Sequence, residues 1–177
     1  MDISQLISQV VMLYAPAMAA NMAPVFAARY NMIPWLNKPL DFGFRIRGVR
    51  MFGDNKTVRG FVLGIIAGAC IGALESFVVS VGPFSSLSFA IAFGAWSGLG
   101  ALAGDSIKSF FKRRKKVPSG TSWILFDQID FVVGATVFGL FLIPIPLVVV
   151  AFAIASVGFA SYIVSVIGVA LHIKEKV

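Results

Sequence analysis

Between Gly104 and Phe131 an aspartate, six cations, a Pro-Ser-Gly turn and two more aspartates follow one another, with long apolar runs on either side. Asp105 comes first, then Lys108, Lys112, Arg113, Arg114, Lys115 and Lys116, then Pro118-Ser119-Gly120, and last Asp127 and Asp130. Carboxylates beside many cations suit chemistry on phosphates. Carboxylate oxygens hold Mg²⁺, which keeps several waters and substrate phosphates among its ligands. Two such ions can clamp the attacking and leaving oxygens of an in-line displacement, while Lys and Arg neutralise the charge that develops. The plainer alternative is three carboxylates balancing a basic surface. Against it, Asp127 and Asp130 stand at helix spacing inside an apolar run, where charge is costly.

Two other stretches offer matching chemistry. Gly53-Asp54-Asn55-Lys56-Thr57-Val58-Arg59-Gly60 places backbone N–H groups, Asn55, Lys56, Thr57 and Arg59 just before an apolar run. Donors at a helix N-terminus suit phosphate. The stretch is not a Walker A loop, which ends in Gly-Lys-Ser/Thr, and its cations also suit a lipid-headgroup anchor. Pro16-Ala17-Met18-Ala19-Ala20-Asn21-Met22-Ala23-Pro24 sets an amide between two prolines. Proline kinks a helix, and in a membrane the freed carbonyls need partners or a water-lined cavity. Asn21 fits such a cavity or a bond between helices.

The elements that must position these residues are apolar helices. The chain has 177 residues, 58% of them hydrophobic and 13% charged, with mean hydropathy +0.90. Several runs exceed the roughly 18 to 20 apolar residues needed to span a bilayer. The reading is an all-α, polytopic membrane protein forming one integral-membrane domain over residues 1–177. Five spans are expected at about 3–28, 60–81, 87–107, 124–143 and 147–171, with basic loops at 29–59 and 108–123. Gly60, Gly64, Gly68 and Gly72 repeat every four residues, as do Gly100 and Gly104. Such spacing makes a seam for close helix approach. Glu75, inside the second span and far from the basic loops, is expected to make a structural hydrogen bond. The lone Cys70 forms no intrachain disulfide, and the first run reads as a retained helix rather than a secretory signal.

Five spans put the first loop, the third loop and the C-terminus on one side. All 15 cations fall there, seven, six and two respectively. Cations collect in cytoplasmic loops, so the N-terminus is expected outside a cell membrane and the chemistry on the cytoplasmic face. The same rule accounts for the net charge of +7 without a nucleic-acid polymer as partner. The two halves carry different motifs, unlike the inverted repeats of transporters.

The stretches Pro16 to Pro24, Gly53 to Gly60, and Asp105-Ser106-Ile107-Lys108 through Asp127-Gln128-Ile129-Asp130-Phe131 resemble the CDP-archaeol synthases. These are the archaeal branch of the CTP-dependent phosphatidate cytidylyltransferases. The resemblance covers essentially the whole chain. Compared with the wider signature, Lys112-Arg113, Pro118 and Asp127-x-x-Asp130 have counterparts. The Gly-His-Gly-Gly run after that proline is absent, and Gln128 stands where arginine is usual. The resemblance implies Mg²⁺-dependent transfer of CMP from CTP to 2,3-bis-O-geranylgeranylglycerol 1-phosphate. It implies metal at Asp105, Asp127 and Asp130, with two ions expected, and a catalytic Lys112. Phosphates would meet Asn55, Lys56, Thr57, Arg59, Lys108 and Lys115, assisted by Ser106 and Ser119, and a lipid cleft would open at Asn21 and Pro24. The competing classes are another lipid-phosphate transferase and a small transporter. A CDP-alcohol phosphotransferase would carry Asp-Gly and Ala-Arg elements that are absent, and a transporter would place paired polar residues at mid-membrane in several spans.

Overall fold

The computed structural model describes residues 2–80, 82–117 and 126–170, with side chains excepted at 126–128, 157, 158, 161, 162, 164, 165 and 167–170. Five helices dominate: α1 (Ile3–Arg29), α2 (Val58–Val78), α3 (Leu87–Arg114), α4 (Phe126–Gly139) and α5 (Leu147–Ala170). Of these, α1, α2 and α3 are long and apolar enough to cross a membrane, and α4 and α5 contribute shorter apolar stretches. The protein is a helical, multi-pass membrane protein.

Local chemistry sets the helix starts. Asp2 accepts from the N–H of Ile3 at 2.7 Å while Gln5 reaches back to the N–H of Asp2 at 3.3 Å, a reciprocal cap for α1. Thr57 begins α2, its hydroxyl accepting from the N–H of Gly60 at 3.1 Å. That bond satisfies one of the donors a first turn leaves open.

Inside a bilayer, helices gain little by burying apolar surface and associate through close packing. The α2 glycines are all buried, against Pro24, Ala20 and Pro16 of α1 and Leu102, Gly94 and Ala90 of α3. Gly100 and Gly104, on another face of α3, meet Gly134 and Phe138 of α4. The expected seams are therefore present, and they place α3 between α2 and α4. Polar ties complete the bundle. The Tyr14 and Thr136 hydroxyls share a buried hydrogen bond of 2.7 Å between α1 and α4, and Trp96 Nε1 donates to the Phe138 carbonyl at 2.9 Å.

Three details differ from the sequence reading. α3 continues to Arg114, past the span's expected end at about 107, so Lys108, Lys112, Arg113 and Arg114 ride on its polar extension; a helix does not stop where its apolar run stops if its residues remain good helix formers. The first connection contains a short hairpin, β1 (Arg45–Ile46) paired antiparallel with β2 (Val49–Arg50). Glu75 does not make the expected hydrogen bond among the described residues, where neither buried carboxylate oxygen has a partner.

Candidate functional site

α3 delivers Asp105 to the point where the α1–α2 connection closes over the bundle. Gly104 makes this approach possible, because a Cβ there would collide with the Asp130 carbonyl of α4. The two helices therefore touch backbone to backbone beside both carboxylates.

Around Asp105 runs a chain of alternating charges. Lys56 pairs with its Oδ2. Lys108 lies 3.2 Å from its Oδ1 and 2.5 Å from Oδ2 of Asp130. The side chains of Lys56 and Asp105 are each 19% exposed, Lys108 12% and Asp130 8%. Asp130 Oδ1 also accepts from the N–H of Phe131 at 2.7 Å. Two ammonium groups offset two carboxylates, which is how charges persist in so buried a place.

This network separates two cavities. On the α1–α2 side is a cleft of about 670 Å³ lined by Asn21 and Pro24 of α1, Asn31, Asn37 and Asp54 to Thr57 of the connection, Arg59 and Gly60 of α2, and Leu102 and Asp105 of α3. On the other side, between α3 and α4, is a mainly apolar groove of about 600 Å³. Its walls include Ile107, Phe111, Val133, Val137 and Phe138, and Lys108, Lys115 and Asp130 are its charged residues.

The structure thus brings Asn21, Pro24, Asn55, Lys56, Thr57, Arg59 and Asp105 to one cavity, and Lys108, Lys115 and Asp130 to the other. Asn21 and Pro24, expected at a lipid cleft, share their wall with the polar residues of the connection. Arg59 is buried, its Nη1 donating to the Met32 carbonyl at 3.1 Å and to Asn31 Oδ1 at 3.4 Å, while its Nε has no partner among the described residues. Ser106 is buried and turned to its own helix, its hydroxyl donating to the Leu102 carbonyl at 2.8 Å. Lys112 is buried. The side chain of Asp127 and all of Ser119 lie outside the described residues. Asn31 and Asn37 line the polar cleft without any sequence signal pointing to them, and Asp54 joins them from the Gly53 to Gly60 stretch, where only its neighbours stand out as phosphate donors. Asparagine and aspartate between helices read first as turn formers, and no spacing rule marks them.

As to metal, the described residues contain no cluster of three acidic or other metal-ligating side chains. Asp105 and Asp130 nevertheless converge on one ammonium, that of Lys108. Hard oxygen donors sharing a positive centre are the donor set Mg²⁺ takes.

Apolar helices enclosing a buried lysine–aspartate network, with a polar cleft on one side and an apolar groove on the other, fit an enzyme embedded in a membrane. Comparison with known proteins agrees. The fold matches a solved structure described as an intramembrane enzyme for archaeal membrane lipids biosynthesis, with TM-score 0.74 and 31% identity over 88% of this chain and 92% of that one. The family model described as CarS-like, CDP-archaeol synthase, matches residues 3–177, and the chain belongs to that family. The CDP-archaeol synthase of Methanospirillum hungatei is 42% identical over 113 residues, covering 60% of this chain and 66% of its own length. That of Methanocaldococcus jannaschii is 33% identical over 144 residues, covering 77% and 81%.

Proposed function

We propose that the protein transfers CMP from CTP to the phosphate of 2,3-bis-O-geranylgeranylglycerol 1-phosphate, giving CDP-archaeol and pyrophosphate. The observation that carries this reading is the polar cleft in which Asn55, Lys56, Thr57 and Arg59 meet Asp105 beside the apolar groove. A phosphate oxygen of the lipid forms a bond to the α-phosphorus of CTP, and the bond from that phosphorus to the bridging oxygen breaks, so pyrophosphate carries away the electron pair. Negative charge grows on the leaving group, and cations already in place stabilise it without reorganising. Lys56 and Arg59 serve the triphosphate, with the Thr57 hydroxyl and Asn55 amide at the same wall. Lys108 and Lys115 serve the lipid phosphate at the groove, and Lys112 supports them from the buried side of α3.

Asp105 and Asp130, joined by Asp127 from the same helix as Asp130, would hold Mg²⁺. The ion supplies charge neutralisation on the phosphates when bound. Lys56 and Lys108 hold the two described carboxylates near each other for that purpose.

The isoprenoid tails gain nothing by leaving the bilayer, so the phosphate has to reach the site sideways. The groove between α3 and α4 suits this path, since its walls are apolar and its charged residues belong to the network. Five spans, an external N-terminus, a plasma-membrane location and a cytoplasmic site complete the reading. They rest on the placement of all 15 cations in segments that five spans set on one side. Washed membranes carrying the protein, given labelled CTP and the lipid phosphate, test the reaction directly. Label in a CDP-lipid with equimolar pyrophosphate is the expected result. Label only in a transported pool, or transfer only from a CDP-alcohol, overturns it.

A further inference from the structure

The α1–α2 connection is built around Asp41, a residue outside the cleft. Its side chain has 0% exposure, yet it accepts five hydrogen bonds. Oδ1 receives Arg50 Nη2 at 2.6 Å and the N–H of Gly43 at 3.1 Å. Oδ2 receives Arg50 Nε at 3.2 Å and the N–H groups of Phe52 at 3.0 Å and Gly53 at 3.3 Å. Burial pushes this carboxyl up, but the bonds from Arg50, Phe52, Gly43 and Gly53 outweigh it and hold the group well below the usual carboxylate range. Gly53 has φ +90°, a conformation that side chains disfavour, and it turns its N–H onto Asp41.

From this hub the constraint passes to the cleft by two routes. Arg50 Nη1 reaches Asp54 Oδ1 at 2.9 Å, and Asp54 lines the cleft. The backbone just before Asp41 is laced to the residues around Lys56: the N–H of Leu40 donates to the Lys56 carbonyl at 2.7 Å, and that of Val58 to the Lys38 carbonyl at 2.9 Å. The hairpin is in turn docked on α3 through Arg114 Nη1, which donates to the Ile46 carbonyl at 2.8 Å. Between Asp41 and the Lys56–Asp105 pair every step is a hydrogen bond or a short length of chain.

We infer that Asp41 is a positioning residue for the nucleotide, fixing the stretch from Asp54 to Thr57 so that Lys56 and Thr57 face the cleft together with Asp105. The inference rests on the cytidylyltransferase reading. It separates Asp41 from residues that only hold the protein together, because the loss should fall on one substrate.

The test uses the full-length protein in lipid nanodiscs, with Asp41→Asn and, as a milder change, Arg50→Lys, which keeps charge but loses the planar fork. Loop position is read without turnover, from the alkylation rate of Asn55→Cys on a Cys70→Ala background. Steady-state kinetics then give KM for CTP, KM for the lipid and kcat. Asp41→Asn is expected to speed alkylation and raise KM for CTP by about tenfold, the effect of losing a charge-assisted contact. KM for the lipid and kcat should stay within about twofold, and Arg50→Lys should fall between wild type and Asp41→Asn. If Asp41→Asn does not insert, Arg50→Lys decides alone. Unchanged alkylation and CTP KM in folded protein, or equal losses for CTP and lipid, overturn the inference. Absence of CTP turnover by the unmodified protein overturns the functional reading instead, and the alkylation rates still judge the loop.

Discussion

Lys56, just before α2, forms an ion pair with Asp105 of α3, 49 positions further along the chain. The pair joins the connection to the bundle and closes one wall of the polar cleft. Breaking a buried pair by removing one partner typically costs about 3 to 5 kcal/mol, because the other charge is left uncompensated. Variants here therefore need a folding control beside every activity measurement.

The carboxylates give the first prediction. Asp105→Asn, Asp127→Asn and Asp130→Asn keep side-chain shape but lose the charge a hard divalent cation requires. Each is expected to insert in the membrane and to retain under about 1% of activity, in line with losses for groups acting on transition-state charge. Chelation should abolish turnover by the unmodified protein and Mg²⁺ should restore it. Near-normal rates in all three variants would place the metal elsewhere.

A second prediction separates the cations of the first connection. Lys56→Ala and Arg59→Ala should each raise KM for CTP about tenfold or more, since charge-assisted contacts are worth roughly 1.5 to 3 kcal/mol. Lys38→Ala, outside the cleft lining, should change it less than about twofold. Arg59→Ala should also lower thermal stability, because it releases the bonds to Asn31 and Met32. Small, equal effects on KM at all three positions would favour a headgroup anchor.

The groove between α3 and α4 can be tested by filling it. Val133 is 46% exposed and lines the groove, so Val133→Trp adds bulk without cutting the core. KM for the lipid should rise about tenfold while KM for CTP stays within about twofold, as expected for an obstructed apolar subsite. A rise for CTP alone would move the lipid path to the α1 side, at Asn21 and Pro24.

Topology is checked by single-cysteine labelling on a Cys70→Ala background in intact cells. An impermeant thiol reagent is expected to tag Ser85→Cys and to spare Ser119→Cys. The reverse pattern would exclude five spans with an external N-terminus.

Residue spacing revealed much of this arrangement. The four-residue glycine repeats marked the seams, and the clustering of cations beside aspartates marked the network. What spacing does not convey is which side chains face one another. Spacing puts Lys108 beside the aspartates in sequence, but its place between Asp105 and Asp130 depends on how closely α3 and α4 approach. Asp41 gives no such signal, because an aspartate in Pro39-Leu40-Asp41-Phe42-Gly43 reads as an ordinary turn residue; five donors converge on it only once residues 43 to 53 fold back. Glu75 is the opposite case. Its position called for a hydrogen bond, and the described neighbours supply none.

The double glycine face of α3 has a consequence for motion. Where Gly68 meets Gly94, and Gly104 meets Asp130, main chain lies against main chain, and there are no rotamers to rearrange. Three helices joined in this way move as one body or not at all. Among the described residues, opening of the polar cleft then calls for the segment between α1 and α2 to lift, since its ties to α3, Lys56 to Asp105 and Arg114 to the Ile46 carbonyl, are made by side chains that can let go while the glycine seams beneath keep their shape.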